Sequence, residues 1–302
     1  MKKVLTLGLL LLWAAVSFSQ INFLVANDLG RNGYYEQKSI AELMGRVAEE
    51  NDIEAVLALG DVHHFMGVQS VSDPLWMTNY ELIYSHPELQ LPWYPILGNH
   101  EYRGNTQAVL DYSNVSRRWQ MPARYYSKVF EDDSVTIRVV FLDTTPLIDK
   151  YHEDSIDYPS VAQEDVDKQL SWLDNELKTA SEDWLVVVGH HPIYADTYKG
   201  ESERLDMQRR VDSILRRYKV NMYICGHIHN FQHIRRPGTM TDYVVNSAAS
   251  LAREDVKPIE GSVFVSGLAG FSLLSCSRNE LRLDMISGKG EIVHTIVQKK
   301  QN

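Results

Sequence analysis

The chain has 302 residues, 44% of them apolar and 23% charged, with a formal net charge of -10. That length can bury a substantial core, and the acidic balance excludes a surface that grips nucleic-acid phosphates through clustered Lys and Arg. A small phosphorylated substrate stays open, because bound metal ions invert the local potential. Lys2 and Lys3 precede an apolar run over 4–16, and the small residues Ser17 and Ser19 flank Phe18. This pattern predicts a cleaved signal peptide over 1–19, since the run is shorter than the roughly 20 residues of a membrane span. No Cys stands near the cut to carry a lipid anchor. The remainder, 20–302, is expected to be one layered domain, secreted or periplasmic, monomeric and without stable membrane association.

Short apolar runs over 21–26, 55–59, 93–97, 137–142, 185–188 and 222–225 predict buried strands. Between them, 37–50, 73–84, 162–180 and 205–218 carry helical spacing of apolar positions. Such alternation places strands in a sheet covered by helices, an α/β fold. From His233 onward, short strands over 233–236, 243–246, 262–266, 270–276, 280–286 and 291–297 predict one largely antiparallel closing sheet. The two cysteines, Cys225 and Cys276, are expected as free thiols, Cys225 at the end of an apolar run.

The polar signals fall where the strands stop. Asn27-Asp28-Leu29-Gly30, Gly60-Asp61-Val62-His63-His64, Gly98-Asn99-His100-Glu101, Gly189-His190-His191-Pro192 and Gly226-His227-Ile228-His229 each follow an apolar run. Ligands of open α/β sheets bind outside the carboxyl ends of strands. Taken singly, a Gly-Asp or Asn-His after a strand is more often a turn than a ligand. Five in order deliver carboxylates, imidazoles and an amide with no thiolate, an O/N set suited to Fe, Zn or Mn. There are too many donors for one tetrahedral zinc, and two metal ions sharing one carboxylate would use them.

This ordered set resembles the calcineurin-like metallophosphoesterase superfamily, and more closely the single-domain purple acid phosphatases of the tartrate-resistant type. Gly67-Val68-Gln69, Pro92-Trp93-Tyr94, Ser116-Arg117-Arg118-Trp119, Gln169-Leu170-Ser171-Trp172-Leu173 and Tyr223-Ile224-Cys225-Gly226-His227 add to the likeness, which spans about 23–230. The resemblance implies a four-layer αββα sandwich of two mixed β-sheets flanked by helices. It also implies Asp28, Asp61, His64 and His229 on a first metal, and Asn99, His190 and His227 on a second that shares Asp61. By the same resemblance His100 would stand near the phosphate and the leaving group, with Asn99 facing the substrate; Tyr198 and Lys199 are further substrate-facing candidates, Lys199 either a point charge on a phosphate oxygen or a solvated loop lysine. The implied reaction is phosphomonoester hydrolysis by in-line attack of a metal-bound hydroxide, with Asp61 and His100 as catalytic groups and a small-molecule phosphate ester as partner. A phosphodiesterase on the same metals, and a non-catalytic protein on the same fold, are the competing readings. A diester assayed beside a monoester separates the first; the completeness of the ligands together with His100 speaks against the second.

Three departures bear on the chemistry. The family has Tyr at the position of His64, and its tyrosinate gives the purple colour; His64 predicts a colourless protein with a weaker preference for a trivalent ion. The wider superfamily's first motif is Asp-x-His, whereas Asp28-Leu29-Gly30 lacks that imidazole; His64 can supply it, with His63 as the rival. Finally, Tyr198 and Lys199 replace an acidic residue and a histidine, so substrate preference is not inherited. The acidic stretch over 145–161 lies where a loop can cover the active site, or is a plain surface loop.

Overall fold

The computed structural model describes residues 20–198 and 200–300, so the predicted signal peptide over 1–19 and Lys199 lie outside the described residues. The first strands are β1 (Gln20–Ala26), β2 (Ile53–Ala58) and β3 (Trp93–Pro95), followed by β4 (Tyr126–Asp132), β5 (Val135–Phe141), β6 (Trp184–Val188) and β7 (Met222–Cys225). The last are β8 (Phe231–Arg235), β9 (Asp242–Val245), β10 (Ser262–Ser266), β11 (Gly270–Ser277), β12 (Glu280–Ser287) and β13 (Ile292–Lys299). They form a six-stranded sheet, β13-β12-β11-β1-β2-β3, and a seven-stranded sheet, β10-β8-β9-β7-β6-β5-β4. Both are mixed: β1, β2 and β3 are parallel, as are β5, β6, β7 and β9, while the outer pairings are antiparallel. Flanked by helices, they give the expected sandwich.

The helices are α1 (Gln37–Glu50), α2 (Thr106–Asp111), α3 (Asp149–Glu153), α4 (Val166–Lys178), α5 (Glu201–Met207) and α6 (Ser213–Arg217). The amphipathic α1 buries Ile40, Leu43, Met44 and Ala48 and links parallel β1 to β2. β6 and β7 are buried at every position, which is why they read as unbroken apolar runs. The sheets pack face to face: Phe23 of β1 meets Phe130 of β4 edge-on at 4.8 Å between ring centroids. The Trp184 indole of β6 donates to Ser277 O of β11 at 2.7 Å.

Several expectations need correction. The strands after His233 do not make one closing sheet. β8, β9 and β10 extend the sheet of β7, while β11–β13 extend the sheet of β1 and so close both layers. β4 was not predicted, because its sequence YSKVFED alternates exposed polar with buried positions and ends in two exposed acids. Over 73–84 the helical residues are 75–81, and Met77–Glu81 of them form a π-helical turn. It is shaped by large buried aromatics: Trp76 stacks on Tyr112 at 3.5 Å, and Tyr80 meets Trp93 at 5.0 Å. Arg118, part of the family-like Ser-Arg-Arg-Trp segment, belongs to this cluster; its guanidinium lies over Tyr80 and donates to Tyr84 O at 2.7 Å. The helix predicted from 162 starts at Val166, because the Asp165 carboxylate caps it by accepting from Lys168 N at 2.9 Å. The one predicted from 205 starts at Glu201 and continues through a π-turn into α6. Cys225 and Cys276 are buried free thiols.

Phe23 is fully buried between the layers. Phe23→Ala is expected to cost about 3–5 kcal/mol, read as a lower midpoint in urea unfolding with an unchanged slope; an unchanged midpoint would contradict the packing described.

Candidate metal centre

The loops after β1, β2, β3, β6 and β7 meet at one edge of the sandwich, where the two sheets are tied by polar bonds. Asn246 Nδ2 donates to Asn27 Oδ1 at 2.7 Å and to Val25 O at 3.0 Å. Within the seven-stranded sheet, the loops after β6 and β7 are joined by Gly226 N donating to His190 O at 3.0 Å. Gly98 lets the β3 loop close on the β2 loop: a Cβ there would stand 2.2 Å from Asp61 Oδ1. Asp28, Asp61, His227 and His229 all have left-handed backbones, with φ of 50°, 52°, 69° and 64°. For non-glycine residues this strain costs about 1–3 kcal/mol each and persists only where the surroundings impose it.

Each carboxylate divides its two oxygens. Asp28 Oδ2 accepts from Asn27 Nδ2 at 2.6 Å and from His227 N at 2.9 Å. Its Oδ1 is buried without a hydrogen-bond partner, 3.1 Å from His229 Nε2 and 3.9 Å from His64 Nε2. Asp61 Oδ1 accepts from His100 N at 3.0 Å, while Oδ2 lies 3.2 Å from both His64 Nε2 and His190 Nε2. The imidazoles are oriented from behind. His64 Nδ1 lies 3.1 Å from Gly30 O, His190 Nδ1 2.8 Å from Leu59 O, and His229 Nδ1 2.6 Å from Leu251 O. Each Nδ1–H therefore donates to a carbonyl, and each Nε2 turns a lone pair toward a carboxylate oxygen. Acceptors facing acceptors in a buried site demand protons or cations between them. Carbonyl-backed histidines of this kind are the usual setting of metal ligands. Burial opposes charge on His190, yet Asp61 and Asp28 outweigh it and push it up to about 10. Burial likewise opposes ionisation of Asp28, but His229 and His190 hold it well below the usual carboxylate range.

The donor set fits two cations. Asp28, His64 and His229 place ligand atoms within 4.8 Å of one another, as do Asp28, Asp61 and His190. Asn99 adds a buried Oδ1 with no hydrogen-bond partner. His190, His191 and His227 form a further group within 4.8 Å, but His191 is occupied on both sides, by Thr144 Oγ1 at 2.8 Å and Tyr151 OH at 2.9 Å. His227 Nε2 lies 3.1 Å from Glu203 Oε2, which leaves Nδ1 as its ligand atom. His63 turns away from the centre and packs edge-on against Trp76 at 4.5 Å. His100 is anchored through Nδ1 to Phe65 O at 2.6 Å, with Nε2 3.9 Å from Asp61 Oδ2; burial, partly offset by Asp61, lowers it to about 4.

The cleft in front of this group holds about 280 Å³. Its walls include Arg103, Lys150, Tyr158, Arg253 and the 76% exposed Tyr198. The acidic stretch over 145–161 turns Lys150, Tyr151 and Tyr158 to the cleft, and its Asp149 pairs outward with Arg209 and Arg210. None of its carboxylates lines the cleft. Glu203 escaped sequence reasoning. It is an acidic residue in the first turn of α5, with nothing in the pattern to separate it from Glu201. Buried, it binds His227, accepts from Tyr151 OH at 3.0 Å and pairs with Lys150. Burial opposes its charge, but His227, His191 and Lys150 hold it far below the usual range.

A family model for calcineurin-like phosphoesterases matches residues 21–231. Purple acid phosphatase 4 of Arabidopsis thaliana is 32% identical over 286 residues, 91% of this chain and 82% of that protein. Tartrate-resistant acid phosphatase type 5 of Oryctolagus cuniculus is 32% identical over 257 residues, 82% of this chain and 78% of its own. Among solved structures, GAP50, the anchor in the inner membrane complex of Plasmodium, has a similar fold. Its TM-score is 0.79 at 22% identity, covering 94% of this chain and 90% of that one.

Glu203→Gln keeps the shape of the side chain but removes the charge that orients His227. It is expected to weaken the second metal about 10–100-fold in competition with a chromogenic chelator, with the circular dichroism unchanged. Undiminished affinity would show that Glu203 does not position His227.

Proposed function

The chain belongs to the calcineurin-like phosphoesterase family as a relative of the purple acid phosphatases, metal-dependent hydrolases of phosphoric esters, and on that premise we propose that it hydrolyses phosphomonoesters at two metal ions. A first ion would be held by Asp28, Asp61, His64 and His229, and a second by Asp61, Asn99, His190 and His227. The observation that carries this reading is the facing of imidazole and carboxylate lone pairs around Asp61 Oδ2 and Asp28 Oδ1. When bound, the ions supply Lewis acidity toward phosphoryl oxygen and acidify water.

The protein's own groups supply the rest. Asp61, fixed by its bond from His100 N, sets the position of the shared oxygen. His100, held at Nδ1 by Phe65 O, presents Nε2 to the cleft; a bound phosphate dianion offsets the burial that disfavours its charge, and the imidazolium then donates from Nε2 to the phosphate and passes that proton to the departing alcohol. Arg103, whose guanidinium is held by Tyr158 OH at 2.8 Å, and Arg253 at the rim favour a dianionic monoester over a monoanionic diester. Tyr198 stands at the same rim, and the adjacent Lys199 is assigned to phosphate binding as a point charge. His64 in place of a tyrosine favours a colourless pair of divalent ions, drawn from Fe, Zn and Mn.

The reading takes 20–302 as a single catalytic domain, monomeric and acting on small-molecule esters. The leader-like composition of 1–19 supports a secreted or periplasmic location. No helix among the described residues is long and apolar enough to cross a membrane.

On p-nitrophenyl phosphate, His100→Ala is expected to lower kcat about 10²–10⁴-fold with both metals retained, while bis(p-nitrophenyl) phosphate is a poor substrate of the parent protein. Wild-type turnover in His100→Ala would remove His100 from the mechanism, and faster cleavage of the diester would replace the monoesterase by a diesterase.

A further inference from the structure

Beside His64 lies a second hollow, of about 360 Å³, that the hydrolytic reading does not use. It is lined by Arg31, Asn32, Tyr34, Tyr35, His64 and Phe65. Tyr34, Tyr35 and Phe65 are 71%, 65% and 67% exposed, so three aromatic side chains stand in solvent around one opening. The turn that presents the two tyrosines is fixed. Gln37 Oε1 accepts from Arg31 N at 3.0 Å and Gly33 N at 2.7 Å, and Asn79 Oδ1 accepts from Asn32 N at 2.6 Å. Tyr35 is held at φ 55°, a conformation a bulky residue adopts only when its surroundings impose it.

Arg31 gives the hollow its polarity. It is 7% exposed, its Nε has no hydrogen-bond partner, and among the described residues it makes no salt bridge. Its guanidinium lies 5.0 Å from the centroid of the Phe65 ring, flanking the opening. Nε is itself sealed from solvent, so an acceptor brought by a ligand in the hollow would meet the guanidinium at its Nη atoms. The hollow adjoins the metal centre, separated from its cleft by His64 and Phe65. His64 belongs to both, its ring centroid is 4.3 Å from that of His100, and the Phe65 carbonyl anchors His100.

We propose that this hollow binds the leaving group of the substrate, and that the group is an aromatic ring bearing an oxygen acceptor. The ring stacks among Tyr34, Tyr35 and Phe65, and the acceptor takes a charge-assisted bond from the Arg31 guanidinium. An aliphatic alcohol gains neither contact. The assignment rests on the phosphatase reading, since it names the part of the ester that lies beyond the phosphate.

The test compares 4-carboxyphenyl phosphate with glycerol 2-phosphate on the full, metal-loaded chain. The readout is the ratio of their kcat/KM values, in which the intrinsic reactivity of each leaving group cancels between parent and variant. The ratio is expected to fall about tenfold in Arg31→Met and in the double variant Tyr34→Ala/Tyr35→Ala. Because Arg31 is buried and its variant can fail to fold, the exposed tyrosine pair decides the matter alone if necessary. An unchanged ratio in the tyrosine variant overturns the proposal, including the case in which those side chains serve a macromolecular partner instead. If the parent protein cleaves neither ester, the phosphatase reading falls by itself. The hollow is then judged by saturation-transfer NMR with 4-hydroxybenzoate. Transfer to the parent protein that disappears in the tyrosine variant supports the aromatic site, and no transfer to the parent overturns it.

Discussion

Around Asp28 and Asp61 the lone pairs of three imidazoles meet the lone pairs of two carboxylates, in a place where water cannot separate them. His64, His190 and His229 have each given their Nδ1 proton to a backbone carbonyl, and Asp28 and Asp61 have each given one oxygen to the scaffold's own N–H groups. What remains is a concentration of inward-facing acceptors that is repulsive until protons or cations stand between them. Much else at this end of the sandwich serves to keep that arrangement in place.

The scaffold invests accordingly. Asn27 and Asn246 bond the two sheets together beneath the site, and Glu101 gathers the loops that carry the ligands. Its carboxylate accepts from Asp61 N at 2.9 Å, His63 N at 3.0 Å and Gly98 N at 2.8 Å, so the turns after β2 and β3 share one clamp. Thr144, His191, Tyr151 and Glu203 form a second chain of bonds that ends on His227. Left-handed backbones at four of the candidate ligands are the local cost of pointing those side chains inward. The sheets bear that cost because their facing cores, with Phe23, Phe130 and Trp184 among them, fix the strand ends from which the loops depart.

The candidate ligands were legible in the sequence because each lies just past a largely buried strand, where an apolar run gives way to Asn-Asp, Gly-Asp, Gly-Asn or Gly-His. The supports were less so. Glu203 lies in an ordinary acidic first turn of a helix, and only tertiary packing brings it to His227. Arg31 and the two tyrosines read as a polar, glycine-containing turn, and their grouping with Phe65 depends on how two loops meet. The α/β layering followed from strand–helix alternation and the sandwich from the family likeness, but the partition of the C-terminal strands did not. Six short strands with similar turns carry no local mark of which sheet they join, and β8–β10 and β11–β13 went to different ones. The turn at Met77–Glu81 departed from a regular helix because Trp76, Tyr80 and Tyr84 are packed by distant aromatics rather than by their own helical neighbours.

The central claim is that the facing acceptors are a two-ion site, and metal content measured by mass spectrometry on the purified protein after reconstitution with Fe, Zn or Mn tests it most directly. The account predicts two ions per chain, falling when Asp61 is replaced by Ala, with p-nitrophenyl phosphatase activity lost on chelation and regained when metal is returned. A folded protein that binds no ion from any of these solutions would contradict it.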